Sequence, residues 1–240
     1  MTNPPDNVSA KSLYQGFSLP LSGIDCGKKC GPYNDYGVPV CCDIQLLVPT
    51  AYALEWCYLQ ENTDLWLLWV DPGQNGNDLK NQVQDGLVLL ACRGYQHCQR
   101  DYRTLTCRAF PFFPYLDSKG LFTGLAYYRE YREKCWVISN LDLVTQEYKT
   151  EFQITFERIF QRYPDSRGNY QGYSQYVREE AALKGDKIIL LDFSDDVFLI
   201  DPKSEKLHRV DFDDLDSYGP FGIIKELVFP DENDDLVKQK

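Results

Sequence analysis

Nine cysteines are the feature that most constrains this 240-residue chain. They fall at 26, 30, 41, 42, 57, 92, 98, 107 and 135, and none follows. Core filling does not ask for so many thiols, because a free cysteine serves there as one small apolar residue among others. Disulfides and metals are the remaining uses. An odd count leaves a disulfide scheme with an orphan, and a chain of this length with 43% apolar residues buries enough core to stand without staples. The start Met1-Thr2-Asn3-Pro4-Pro5 has neither the basic flank nor the apolar run of a secretory signal, so a cytoplasmic location is expected. Structural disulfides are rare in that reducing compartment. Metal ligation is therefore the leading use of the thiols.

Position decides which thiols are ligands. Thr50 reads as the N-cap of a helix that carries Ala51, Leu54, Cys57 and Tyr58 on one face, which makes Cys57 a buried core thiol. Eight candidate metal ligands remain: Cys26, Cys30, Cys41, Cys42, Cys92, Cys98, Cys107 and Cys135. Eight thiolates suit two four-thiolate sites, or one cluster with spare ligands, and soft sulfur matches zinc, iron and iron–sulfur clusters. Cys26-Gly27-Lys28-Lys29-Cys30-Gly31 has the spacing of a metal knuckle, its two lysines offsetting thiolate charge. Neighbouring side chains diverge, so Cys41 and Cys42 need not serve the same ion. Arg93, Arg100, Arg103 and Arg108 surround the later cysteines, where they lower thiolate pKa values or pair with carboxylates. Phe110-Pro111-Phe112-Phe113-Pro114 is expected to shield the site from water, and His97 is not needed as a ligand.

The cysteines divide the chain into a cysteine-cluster metal-binding region, 1–138, and an α+β region, 139–240, which can pack as one domain with the first. The fold class expected is α+β: an irregular cysteine-rich region with helices, then a helix and a small antiparallel sheet. Asp71–Asp78 has turn composition, Gly86–Ala91 reads as a buried strand delivering Cys92, and Cys92–Pro114 fits no regular period. Phe122–Tyr131 reads as a strand or extended arm. Leu143–Tyr163 is the clearest helix, with Tyr148, Phe152, Phe156, Ile159 and Phe160 at helical spacing and Pro164 ending it. A second helix over Ser174–Leu183 closes at Gly185. Strands at Lys187–Phe193, Val197–Asp201 and Leu207–Phe212 form a meander, and Asp195, Asp196, Asp211, Asp213, Asp214 and Asp216 read as a solvated acidic face.

Together these residues resemble the YkgJ-type cysteine-cluster family, described as zinc- or iron-chelating domains. The resemblance rests on Cys26, Cys30 and Cys41-Cys42; on Cys92 with Cys98 six residues on; on Tyr102-Arg103 leading to Cys107-Arg108-Ala109-Phe110-Pro111; and on the late Cys135. It covers about residues 24–138. In that family the double cysteine follows sooner than here, where Gly31–Val40 intervenes, and an Arg-Pro step stands where this chain has Arg103-Thr104. The resemblance implies metal binding without a settled reaction. The cysteine arrangement is also similar to that of flagellin lysine methylases, which implies an iron–sulfur enzyme acting on a protein as an alternative.

A net charge of −11 argues against nucleic acid and anionic membrane as partners. The partners expected are a metal ion, with a protein partner as a further candidate if the metal serves a zinc-stabilised interaction module. No glycine-rich cofactor fingerprint and no Ser-His-Asp motif is present, so catalytic residues are not assigned.

Overall fold

A computed structural model describes residues 9–70 and 86–222 of the chain; the turn expected at Asp71–Asp78 lies outside them. Phe112–Leu116 (β4) is a run of aromatics, Pro and Leu in which every residue is buried, as in a strand covered on both faces. It pairs antiparallel with Phe122–Tyr127 (β5). The sheet continues through Ile188–Leu191 (β6), Val197–Ile200 (β7) and Leu207–Val210 (β8), in the order β4-β5-β6-β7-β8. Pro114 is compatible with β4 because that strand is an edge, where a missing N–H costs least. On the other edge, β8 exposes Leu207, His208 and Arg209. Gly124 lets β5 meet β6, since a Cβ there would run into the carbonyl of Leu191.

Two helices cover the sheet. Gln146–Arg162 (α5), capped by Thr145 Oγ1 accepting from Tyr148 N at 3.3 Å, buries Tyr148, Phe152, Phe156, Ile159 and Phe160 at the expected spacing. This stripe packs with Phe112, Leu125 and Leu191 on one sheet face. Pro164 ends α5 and also opens the next helix, Pro164–Lys184 (α6), where its fixed φ and missing N–H suit the first turn. The second helix is thus ten residues longer at its start than the sequence pattern predicts. It ends at Gly185, whose φ of +70° is a left-handed cap. Val177 and Ala181 of α6 pack with Phe113, Tyr115, Ala126, Ile188 and Leu190 on the opposite sheet face. Alternation along each strand therefore feeds two separate cores.

The earlier part of the chain builds a smaller sheet. Thr50–Tyr52 (β1) and Trp66–Leu68 (β2) flank Leu87–Cys92 (β3), both antiparallel to it, with Trp66 opposite Cys92. Thr50 is thus a strand residue, and the helix that follows is Ala53–Asn62 (α3) with Tyr52 as its cap residue. Glu55 reaches back to accept from Tyr52 N at 3.0 Å and is buried with Leu59. Burial of that carboxylate sets the rotation of α3 and turns Cys57 outward, so the core position expected for Cys57 is incorrect: it is exposed. Short helices Ala10–Gln15 (α1), Cys26–Cys30 (α2) and Leu105–Ala109 (α4) complete the region. The stretch from Cys92 to Pro114 is consequently more regular than predicted, holding α4 and the start of β4.

The architecture is α+β. The larger sheet takes β4 and β5 from before residue 138 and β6, β7 and β8 from after it. Among the described residues no helix is long and apolar enough to cross a membrane.

Candidate metal centre

Eight of the nine cysteines line two adjoining cavities, one of about 860 Å³ and one of about 40 Å³. They arrive from six pieces of local structure. One helical turn, α2, carries Cys26 and Cys30 at its two ends. Gly27 leaves room for Pro39, whose Cγ would lie 3.3 Å from a Cβ there. Pro39 then leads into the 3₁₀ turn Val40–Cys42 that presents the adjacent pair. Cys92 ends β3. Cys98 closes the 3₁₀ turn Tyr95–His97, donating its N–H to Tyr95 O at 3.2 Å. Cys107 lies inside α4, its N–H capped by Thr104 Oγ1 at 3.1 Å. Cys135 donates its N–H to Tyr131 O at 2.8 Å and precedes the 3₁₀ turn Trp136–Ser139. The long loop between Cys30 and Cys41 is tied to this last segment, because Asn34 Nδ2 donates to Lys134 O at 3.1 Å.

Seven of the eight thiols line the larger cavity, with Arg100, Arg103 and Arg108 on its walls, and Cys92 lines the smaller one. Arg103 Nε donates to Cys98 Sγ at 3.1 Å. Burial works against the Arg103 charge, but the nearby Cys98, Cys41 and Cys42 more than offset it and raise its pKa. Arg100 pairs with Asp25 at 3.3 Å, and Arg93 pairs with exposed Asp64 at 3.4 Å. Arg108 lies 4.5 Å over the Tyr14 ring and donates to backbone carbonyls of Tyr14, Arg103 and Asp101. Of the four arginines, Arg103 alone is placed directly on a cysteine sulfur among the described contacts. Phe110 and Pro111 line the larger cavity, whereas Phe112 and Phe113 belong to the sheet core. His97 and His208 are exposed.

Burial pushes most of these thiols above their ordinary pKa: Cys30 to about 11, Cys107 to about 12, and Cys26, Cys92 and Cys135 upward as well. Cys41 and Cys42 lie with their sulfurs 3.8 Å apart. Their mutual hydrogen bond, together with burial, holds Cys41 well above the thiol range, and the same bond lowers Cys42 to about 7. Among the described residues no three His, Cys, Asp or Glu side chains are closed on one point as ion ligands. The remaining thiols stand around the two cavities. In chemical terms the donor set fits zinc or an iron–sulfur cluster: all sulfur, buried or half-buried, with guanidinium groups at hand.

Sequence reasoning did not single out Glu55. It is buried and accepts from Leu105 N at 2.6 Å, Tyr14 Oη at 2.9 Å and Tyr52 N at 3.0 Å, joining α1, α3 and α4 behind the cysteines. No spacing or motif marks it, since a glutamate in a helix is ordinarily a surface residue.

No family model matches the chain, and neither a curated protein nor a solved structure matches it.

Proposed function

We propose that this protein binds zinc or iron, the latter as ions or as an iron–sulfur cluster, through Cys26, Cys30, Cys41, Cys42, Cys92, Cys98, Cys107 and Cys135. The observation that supports the reading is selective convergence: the eight thiols come from segments more than a hundred residues apart to two adjoining cavities, while Cys57 faces solvent. Buried thiols with raised pKa values are poorly stabilised as free thiolates, and a bound cation compensates the charge they gain on losing their protons. The resemblance to the YkgJ-type family points the same way.

The test is elemental analysis and absorption spectroscopy of protein purified with and without oxygen. Zinc leaves the spectrum silent in the visible, whereas an iron–sulfur centre gives a brown protein with sulfur-to-iron charge-transfer bands. Absence of both metals from both preparations would remove the proposal. Cys57→Ala should retain the full wild-type metal content.

An iron–sulfur enzyme acting on a protein is the second reading. It draws on the larger cavity, whose 860 Å³ far exceeds what one ion occupies and which the arginines share with the thiols. Its mark would be an iron–sulfur spectrum that changes when a protein substrate is added.

A further inference from the structure

Resting on the metal-binding reading above, we infer that the eight thiols form two separate four-thiolate centres, Cys26/Cys30/Cys41/Cys135 and Cys42/Cys92/Cys98/Cys107, which meet at the Cys41–Cys42 peptide.

Packing separates the two sets. Cys30 and Cys135 belong to the main hydrophobic core, with Cys26 and Cys41 packed against it, whereas Cys92 and Cys107 pack against a different core built on Leu59, Leu65, Trp66 and Leu90. The cavities separate only the outer members of the two sets. Cys26, Cys30 and Cys135 line only the larger one, Cys92 only the smaller, and Cys41, Cys42, Cys98 and Cys107 border both. Apart from the Cys41–Cys42 contact itself, electrostatic neighbours follow the same division. Cys135 stands within reach of Cys26 and Cys30, and Cys41 within reach of Cys26 and Cys135. In the other set Cys92 has Cys42 and Cys98 as neighbours, and Cys107 has Cys42 and Cys92.

The pair sits on a 3₁₀ turn with its sulfurs 3.8 Å apart, so the two centres abut here: Cys26 and Cys135 are near Cys41, and Cys92 and Cys107 are near Cys42. Arg103 lies at the junction, bonded to Cys98 and within reach of both Cys41 and Cys42. An all-thiolate centre carries excess negative charge, and two of them side by side repel. A guanidinium between them reduces that repulsion.

The experiment strips the full-length protein of metal and refills it with zinc alone or with cobalt(II) alone. Wild type should take up two equivalents. Cys30→Ser and Cys98→Ser should each take up one, and the double variant none. Wild type saturating at one equivalent overturns the two-centre assignment, as does either single variant losing both ions. A wild-type protein that binds neither ion also overturns the two-centre assignment, whereas the metal reading itself falls only if the untreated protein contains neither zinc nor iron. Cobalt keeps the test independent of variant folding. On the unaltered chain the thiolate-to-cobalt charge-transfer absorption should rise linearly to the second equivalent with an intensity of four thiolates per ion. A rise that stops after the first equivalent counts against two centres.

Discussion

Arg103 donates to Cys98 from a half-buried position, so its role at the thiols is as much orientation as charge. Hydrogen bonds from outside the ligand set fix a ligand's direction, and their loss typically costs about 10- to 100-fold in metal affinity. Arg103→Gln is therefore expected to weaken zinc binding by about that factor with little change in fold, read by competition with a chromophoric chelator; unchanged affinity would show that the contact is incidental. Glu55 carries a different prediction. Burial raises its carboxyl from 4.5 to about 7, against the backbone donors of Leu105 and Tyr52 and the Tyr14 hydroxyl, which favour the charged form. The folded chain thus keeps a proton that the unfolded chain releases between these values. The stability this contributes is complete below pH 4.5 and is lost as pH rises through 7. The advantage of wild type over Glu55→Gln in urea denaturation should shrink across that window; a constant difference would contradict it. The candidate ligands were legible because thiols are rare and their spacing is short-range information. Glu55 was not, because its burial depends on α1 and α4 arriving from elsewhere in the chain.

The long aromatic helix and the three strands of the later meander lie where the sequence pattern puts them, whereas the start of α3 and the start of α6 do not. The aromatic stripe of α5 repeats for four turns and meets the sheet as expected. In contrast, Thr50 has good capping chemistry yet serves in β1, because β3 pairs with it and Thr50 O accepts from Thr106 Oγ1 at 2.6 Å. Pro164 is a helix breaker that is also a helix starter, and nothing local distinguishes the two uses. The strand pairing β5–β6 rests on a point that no periodicity reveals. Gly124→Ala would press a methyl against the Leu191 carbonyl and the Leu190 side chain. A destabilisation of about 1–3 kcal/mol is expected from such overpacking, measured by thermal or urea unfolding. Metal content should stay unchanged, since Gly124 lines neither of the cavities that the thiols border.

In the whole molecule the thiols sit where the smaller sheet, the short helices and the main core adjoin. If the proposed metal is bound, removing it with a strong chelator is expected to speed amide exchange about tenfold or more in segments 26–42 and 92–107, because their regular structure is brief and the ligated thiols would be what fixes them. The strands β6 and β7 should keep their protection, and uniform exchange throughout the chain would contradict this division. The shared sheet has one further consequence. Since β5 lends its second edge to β6, ending the chain near residue 138 would leave β5 with an unpaired hydrogen-bonding rim beside buried Leu125 and Ala126. The thiol-bearing half is therefore no portable cassette: transplanted without its later strands, it would carry a sticky border that recruits other copies of itself.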